Sequence, residues 1–345
     1  MTKKKKYTTK KRDLYQEVTN KIIEALEQGA LPWSKTWRIS NAKTYVGGGS
    51  PFVAFNPTTK GIYSGINAMM LSFMQDTHGY EHGQWATFNQ WKKAGGMVIK
   101  GEKSIADVIM YSPLYKLDPD DEKTLSRKQV EEAIAKGIKL HQCGAYISSR
   151  AVFNIAQVEG VKPLDPSEVA ELQSFKEAVS ATSSEASMAE ELLSSAGARV
   201  VWGNNPCYRS TKCGAIDEIH LPTLAQFQND EAEQFSVAAH ELVHWTGHES
   251  RLDRHENKDF QESVVGAGAT YHEEYAFEEL VAELGANFIC AKAGVEGDMQ
   301  HAAYIQSWLK ALKEDKKFIF SAAAAAQRAV DYIEDVVTAK REDVS

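Results

Sequence analysis

Apolar residues recur at helical spacing in "DLYQEVTNKIIEALEQGALPW". Val18, Ile22, Ile23 and Leu26 share one face, and Gly29 followed by Pro32 ends the run. "GIYSGINAMMLSFM" reads as a turn feeding a buried helix. "WATFNQWKKAGGMVIKGEKS" predicts a helix, a Gly-Gly turn, a short strand and a basic turn. "IADVIMYSPLY" and "AYISSRAVFNIAQVEG" have strand character, and between them residues 118–140 form a charged helical excursion facing outward. Around "KPLDPSEVAELQSF" the Pro and Asp turns mark a boundary. Beyond it the pattern turns mainly helical. "SEASMAEELLSSAG", "AEQFSVAAHELVHWTG" (stopped at Gly247), "HEEYAFEELVAELGANFICAKAG" (stopped at Gly294) and the stretch from Tyr304 onward predict helices. "ARVVWG" and "EIHLP" predict short strands. No internal repeat interrupts this order. The expectation is an α+β chain of two domains, an α+β front and a mainly helical rear.

A length of 345 residues agrees with two domains. No run of about 18 apolar residues occurs, so no segment is expected to span a membrane. The basic start "MTKKKKYTTKKRDLY" is followed by no apolar stretch and does not read as a secretory signal. Cys143, Cys207, Cys213 and Cys290 are far apart without a C-x-x-C pair, which predicts reduced thiols in a cytoplasmic protein. The net charge of −8 hides an asymmetry. Residues 1–160 hold 23 Lys and Arg against 15 Asp and Glu, whereas the remainder holds 16 against 32. A basic front suits a polyanion, and the tail from Lys3 to Arg12 accounts for most but not all of its excess.

The chemistry concentrates in "HELVHWTGHES". On a helix His240 and His244 lie one turn apart on one face and can direct both imidazoles at one ion. Glu241 beside them can take a proton from a water that zinc makes nucleophilic. The flanking residues are apolar, so the pair would sit in a core, where unpartnered histidines are costly. A catalytic zinc needs a third protein ligand. Glu279 is favoured, with Glu283 as an acid that orients a histidine or as the alternative ligand, and with His248 as a further alternative. Tyr271 and Tyr275 are candidates to hydrogen-bond an oxyanion. Such a His/His/Glu set favours zinc, with manganese as the second option.

"LYQEVTNKIIEALEQGALPWSKTW", "FNPTTKGIYSGIN", "QWATFNQWKKAGGMVIKGEKS" and "VFNIAQVEG" resemble the successive blocks of the ArdC-type single-stranded-DNA-binding domain. "IHLP", "HELVHWTGHESRLDR" and "YAFEELVAELGANF" are similar to the metallopeptidase domain that follows it in ArdC antirestriction proteins. The resemblance covers most of residues 13–292; the charged excursion and the Ala-rich C-terminal helix lie outside it. It implies a plasmid- or phage-encoded protein that shields incoming DNA from host restriction, and kinship with the front part of some conjugative primases. The division it suggests is a disordered basic arm at 1–12, a single-stranded-DNA-binding domain at 13–162 with a charged insertion at about 117–140, and a zincin-like metallopeptidase domain at 163–345.

A single strand is held by aromatic rings that stack bases and by lysines that track phosphates. Trp33, Trp37, Tyr63, Trp85, Phe88 and Trp91 supply rings, about half of them expected in the core. Lys60, Lys92, Lys93, Lys100 and Lys103 supply charge, and the turn in "VIKGEKS" presents its lysines outward. Asn67, Gln90, Asn154 and Gln157 are candidates to hydrogen-bond the strand. Three readings follow: an antirestriction DNA binder with a peptidase-like half, a DNA-associated zinc protease acting on DNA-bound proteins, with host proteins as candidate substrates, and a binder whose metal is structural.

Overall fold

The computed structural model describes residues 12–33, 53–180, 187–210, 216–254, 271–295 and 304–344. The arm expected at 1–12 and Trp37 therefore lie outside the described residues, apart from Arg12. That residue is not part of a free arm, because its guanidinium pairs with Glu17 and, at 2.9 Å, with Asp107.

The front half begins with α1 (Leu14–Glu27), capped by Asp13, whose carboxylate accepts the Gln16 N–H at 3.2 Å. A two-stranded ribbon, β1 (Phe55–Asn56) with β2 (Gly61–Ile62), leads into α2 (Gly65–Thr77). Then come β3 (Trp85–Ala86), α3 (Phe88–Lys93) and β4 (Met97–Val98). Two long strands, β5 (Ala106–Lys116) and β6 (His141–Asn154), pair antiparallel from Ala106↔Val152 to Lys116↔His141, and β3 joins the far end of β6. The short β7 (Val158–Glu159) pairs with β4. The charged excursion caps the β5–β6 hairpin with α4 (Arg127–Ala135), opened by a Ser126–Gln129 capping box. Its side chains face outward, as its composition predicts.

The rear half contains α5 (Ala170–Val179), α6 (Met188–Ala196) and a three-stranded sheet ordered β8 (Val200–Trp202), β10 (Glu218–Leu221), β9 (Cys207–Arg209). β10 runs parallel to β8 and antiparallel to β9. The helices α7 (Glu231–Thr246), α8 (Tyr271–Ala293), α9 (Ile305–Glu314) and α10 (Phe318–Val344) follow. No helix of the described residues is long and apolar enough to cross a membrane.

The two sequence blocks share one hydrophobic core. Leu14, Ile22, Leu26, Trp33, Ile66 and Met69 of the front pack in the same cluster as Leu242, Leu280, Trp308 and Ile319 of the rear. The Ala-rich helix α10, outside the resemblance, lies at the centre of that cluster. Its Ala322, Ala323, Ala325, Ala326 and Ala329 are fully buried. Alanine lets helices approach closely, and α2 takes advantage of this: a Cβ on Gly65 would lie 3.6 Å from the Ala323 carbonyl oxygen. Gly65 also needs its glycine for backbone reasons, with φ at +54°, and its N–H donates to Gln327 Oε1 at 2.8 Å.

α1 also meets the turn between α9 and α10. Lys313 pairs with Glu27 and Lys316 with Asp13, both at 2.6 Å, and Thr19 Oγ1 donates to the Lys316 carbonyl at 2.8 Å. Both ion pairs are about half exposed, and solvent screens such pairs strongly. Burying side chains such as Ile22 and Leu26 contributes about 1.5–3 kcal/mol each. The apolar seam therefore holds α1, and the ion pairs trim its register.

A shared core predicts shared unfolding. Ala323→Leu overpacks the α2–α10 contact and is expected to destabilise the protein by about 1–3 kcal/mol. Urea titrations followed by tryptophan fluorescence and by far-ultraviolet circular dichroism should give one coincident transition, shifted as a whole in the variant. Two separated transitions would show that the halves fold independently.

Candidate metal centre

α7 opens on Asp230, whose side chain accepts the Glu233 N–H at 3.0 Å, and it is buried along most of its length from Gln234 to Thr246. The helix carries its polar pair into the core: His240 is 5% exposed and Glu241 7%. The two imidazoles meet edge to face with centroids 4.8 Å apart, and their Nε2 atoms lie 3.1 Å apart. Glu279, 6% exposed, arrives from α8. Its Oε2 is 3.6 Å from His240 Nε2 and its Oε1 is 3.4 Å from His244 Nε2.

One ligand atom from each of His240, His244 and Glu279 lies within 4.8 Å of the others, the one cluster of this kind among the described residues. The contact that makes this possible is at Gly285. A Cβ there would lie 2.7 Å from Val243 Cγ2, so only glycine lets α8 sit this close to α7.

The electrostatics of the cluster follow from burial and charge. Burial opposes the charged form of Glu279, but hydrogen bonds and attraction from His240 and His244 outweigh it and hold the carboxyl well below the usual carboxylate range. Burial likewise opposes a charged His244; Glu278 and Glu279 reverse this and push its pKa up to about 10. The donor set, two imidazole nitrogens and one carboxylate oxygen, suits a divalent ion of the zinc or manganese type.

Glu283 is buried one turn further along α8 but does not join the cluster. Glu278, one residue before Glu279, reaches the outer nitrogen of a histidine: its Oε1 is 3.2 Å from His244 Nδ1. Reasoning from the sequence missed it because it looked one turn beyond Glu279 and not one residue before. His248 is also outside the cluster. Its Nδ1 accepts the Ser250 N–H at 3.1 Å and contacts Ser250 Oγ at 2.8 Å, which ties the ring into the turn after α7. Cys207 lies half-buried on β9, away from these residues, and Cys213 falls outside the described residues.

Tyr275 lies one turn before Glu279 and is 43% exposed. Burial, the Tyr304 hydroxyl 3.5 Å away and the Glu279 charge raise its pKa, so it stays a hydrogen-bond donor at neutral pH. Tyr271 begins α8.

The front residues proposed to touch a single strand divide into two sets. Trp85 is fully buried, Trp33 and Trp91 nearly so, and none offers a face to a base. The polar candidates are committed to the fold. Asn67 clamps Ile109 through two hydrogen bonds of 2.7 and 2.8 Å. Gln90 closes the capping box of α3 with Thr87. Asn154 donates to the His82 carbonyl at 2.7 Å, and Gln157 donates to the Lys103 carbonyl at 2.9 Å. Tyr63 donates to the Trp85 carbonyl at 2.9 Å, and burial pushes its pKa up to about 12.

What remains on the surface is charge. Lys92, Lys93, Lys100 and Lys103 are exposed around α3 and β4, beside the exposed Phe88, Met97 and Ile99. Lys60 is exposed too, 3.8 Å from the Glu168 carboxylate.

A buried helix carrying two histidines and a glutamate, met by a glutamate from a second helix beside a small mixed sheet, defines a zincin-like metallopeptidase fold behind an α+β front. Residues 187–325 match the zincin-like metallopeptidase family, and residues 12–142 match the N-terminal domain of anti-restriction factor ArdC. Crystal structures of the antirestriction protein ArdC of plasmid R388, metal-free and Mn(II)-bound, superpose with a TM-score of 0.64 at 30% identity. The match covers 94% of this chain and 98% of that one. The chain belongs to the ArdC antirestriction family. A DNA primase TraC of Escherichia coli is 32% identical over 332 residues, 94% of this chain; the chain spans 27% of that primase's length. An uncharacterized protein of Sinorhizobium fredii, y4eC, is 29% identical and matched over 91% of its length.

The raised His244 pKa has a measurable consequence. At neutral pH the metal-free folded protein holds a proton that a metal must displace, so metal uptake releases it. Affinity should therefore tighten as pH rises from 6 toward 9, and calorimetry in buffers of different ionisation enthalpy should register proton release. Glu279→Ala is expected to lose the metal, whereas His248→Ala should shift affinity by less than about threefold. A pH-independent affinity, or metal retained in Glu279→Ala, would contradict the assignment.

Proposed function

We propose that this protein binds single-stranded DNA, protects incoming DNA from restriction, and carries a metal-dependent peptidase centre in the same chain. The observation that carries the enzymatic part is the burial of Glu241 beside the His240, His244 and Glu279 cluster. A structural metal site needs no additional carboxylate at that position, and an unused one would be costly to bury.

His240, His244 and Glu279 would hold the ion, zinc by donor preference and manganese by the precedent of the R388 relative. When bound, such an ion supplies Lewis acidity and a nucleophilic water at neutral pH. The Glu241 carboxylate accepts the proton of the attacking water and returns it to the leaving amine. Tyr275 donates its hydroxyl hydrogen toward the developing oxyanion. Peptide substrates are host proteins that meet the incoming strand.

On the front, Lys92, Lys93, Lys100 and Lys103 track phosphates, and Phe88 offers a ring for stacking. Lys60 extends the basic surface. This surface replaces the buried tryptophans as the binding region.

Two variants test the halves separately. Glu241→Ala should keep metal and strand binding and lose peptide hydrolysis. Lys100→Glu with Lys103→Glu should weaken strand binding and lower the magnitude of the salt slope, by about 0.7 per phosphate contact removed. Survival of unmodified DNA in a restricting host is then read for each. Loss of protection only in the lysine variant favours shielding; loss in both makes hydrolysis part of the protection. Strand binding unchanged by the double lysine change would refute the proposed surface.

A further inference from the structure

We infer that Glu278 and Arg254 are a positioning pair for the metal centre, holding His244 as its Nδ1–H tautomer so that Nε2 is presented to the ion. The inference rests on the metal-centre reading above and adds residues that neither the motif nor its spacing assigns.

The geometry is a relay of three side chains. Glu278 Oε1 faces His244 Nδ1 at 3.2 Å, the nitrogen turned away from the ligand cluster. Arg254 grips both oxygens of the same carboxylate, Nε to Oε2 at 3.1 Å and Nη2 to Oε1 at 2.7 Å. Its remaining bonds go back to the histidine helix: Nη1 donates to Thr246 Oγ1 at 2.8 Å and Nη2 to the Val243 carbonyl at 2.7 Å. Arg254 is 4% exposed. A planar, five-donor guanidinium fits this fork, and a lysine would not.

A clip between two helices would not by itself explain the arrangement, because the carboxylate oxygen nearest the guanidinium is also the one on the imidazole. Charge explains it better. Glu278 and Glu279 are adjacent carboxylates, one facing each ring nitrogen of His244. Arg254 answers the charge of Glu278, which leaves Glu279 and the open imidazole nitrogens for the metal. Its anchors on Val243 and Thr246, flanking His244, tie the position of the carboxylate to the very turn that carries the ligand. A carboxylate behind a ligating histidine fixes ring and tautomer, and its loss commonly costs 10–100-fold in metal affinity.

The test is a double-mutant cycle in zinc affinity. Wild type, Glu278→Gln, Arg254→Met and the double variant are titrated against a chromophoric chelator, with melting of each metal-free protein and strand binding measured alongside. Each single change is expected to weaken zinc 10–100-fold. The double change should add no more than about threefold, since Arg254 acts through Glu278. The visible spectrum of the cobalt-substituted protein should shift in Glu278→Gln while strand binding stays unchanged. If Arg254→Met does not fold, Arg254→Lys takes its place, with a smaller loss expected. Zinc binding within about twofold of wild type in Glu278→Gln, or losses that multiply in the double variant, would overturn the pairing. If wild type itself bound no zinc, the metal-centre reading would fail instead.

Discussion

The close approach of α8 to α7 is the constraint on which the rest depends. A metal site built from two helices needs carboxylate and imidazole atoms within a few ångströms, and ordinary side chains at the helix contact would hold the axes too far apart. Gly285 against Val243 removes that spacer. The cost is a helix pair with little room for error, in which α7 is buried on nearly every side. Polar groups on such a helix must be answered by polar groups from its neighbours. His240 and His244 are answered by Glu279, and His244 also by Glu278.

A second buried ion pair secures α8 from its other end. Lys292, 8% exposed, lies 2.7 Å from Glu334 of α10 and 3.0 Å from Glu171 of α5. Buried pairs of this kind add little net stability against an apolar alternative; what they set is register, because a one-turn slip leaves charges unpaired. α8 is thus held at Gly285 by packing, near its start by Arg254 and Glu278, and near its end by Lys292. The central alanines of α10 supply the apolar background that makes these pairings matter.

Helices with one-sided or continuous apolar runs were legible, and so were their ends, since Gly247 and Gly294 fall where α7 and α8 stop. The clustering of His240 with His244 was legible because helical spacing translates directly into facing side chains, and Glu279, which joins them, was favoured because a ligand followed by an acid one turn on recurs in zincins. Glu278 was not. A neighbour at i−1 on a helix points elsewhere unless a tertiary partner draws it in, and that partner, Arg254, belongs to an irregular segment whose path has no periodicity. The three-residue β9 also escaped, being too short to alternate. The merging of the two blocks into one core was hidden for a different reason. Ala-rich sequence carries weak hydrophobic contrast, so the pattern of α10 does not announce that it packs against both blocks, although its small side chains are fully buried.

The fate of the front polar residues bears on the DNA contacts proposed above. Asn67, Gln90, Asn154 and Gln157 each hold backbone groups of turns and strand ends. Releasing any of them to read a base would leave buried backbone groups unsatisfied, at about 1–3 kcal/mol each. Base reading through these residues would therefore work against the fold that presents the lysines. The phosphate tracking proposed for the exposed Lys92, Lys93, Lys100 and Lys103 carries no such penalty and no sequence preference. The shielding role proposed above gains from that indifference. The physical economy of the front half, with polar side chains turned inward and charge left outside, matches a shield better than a reader.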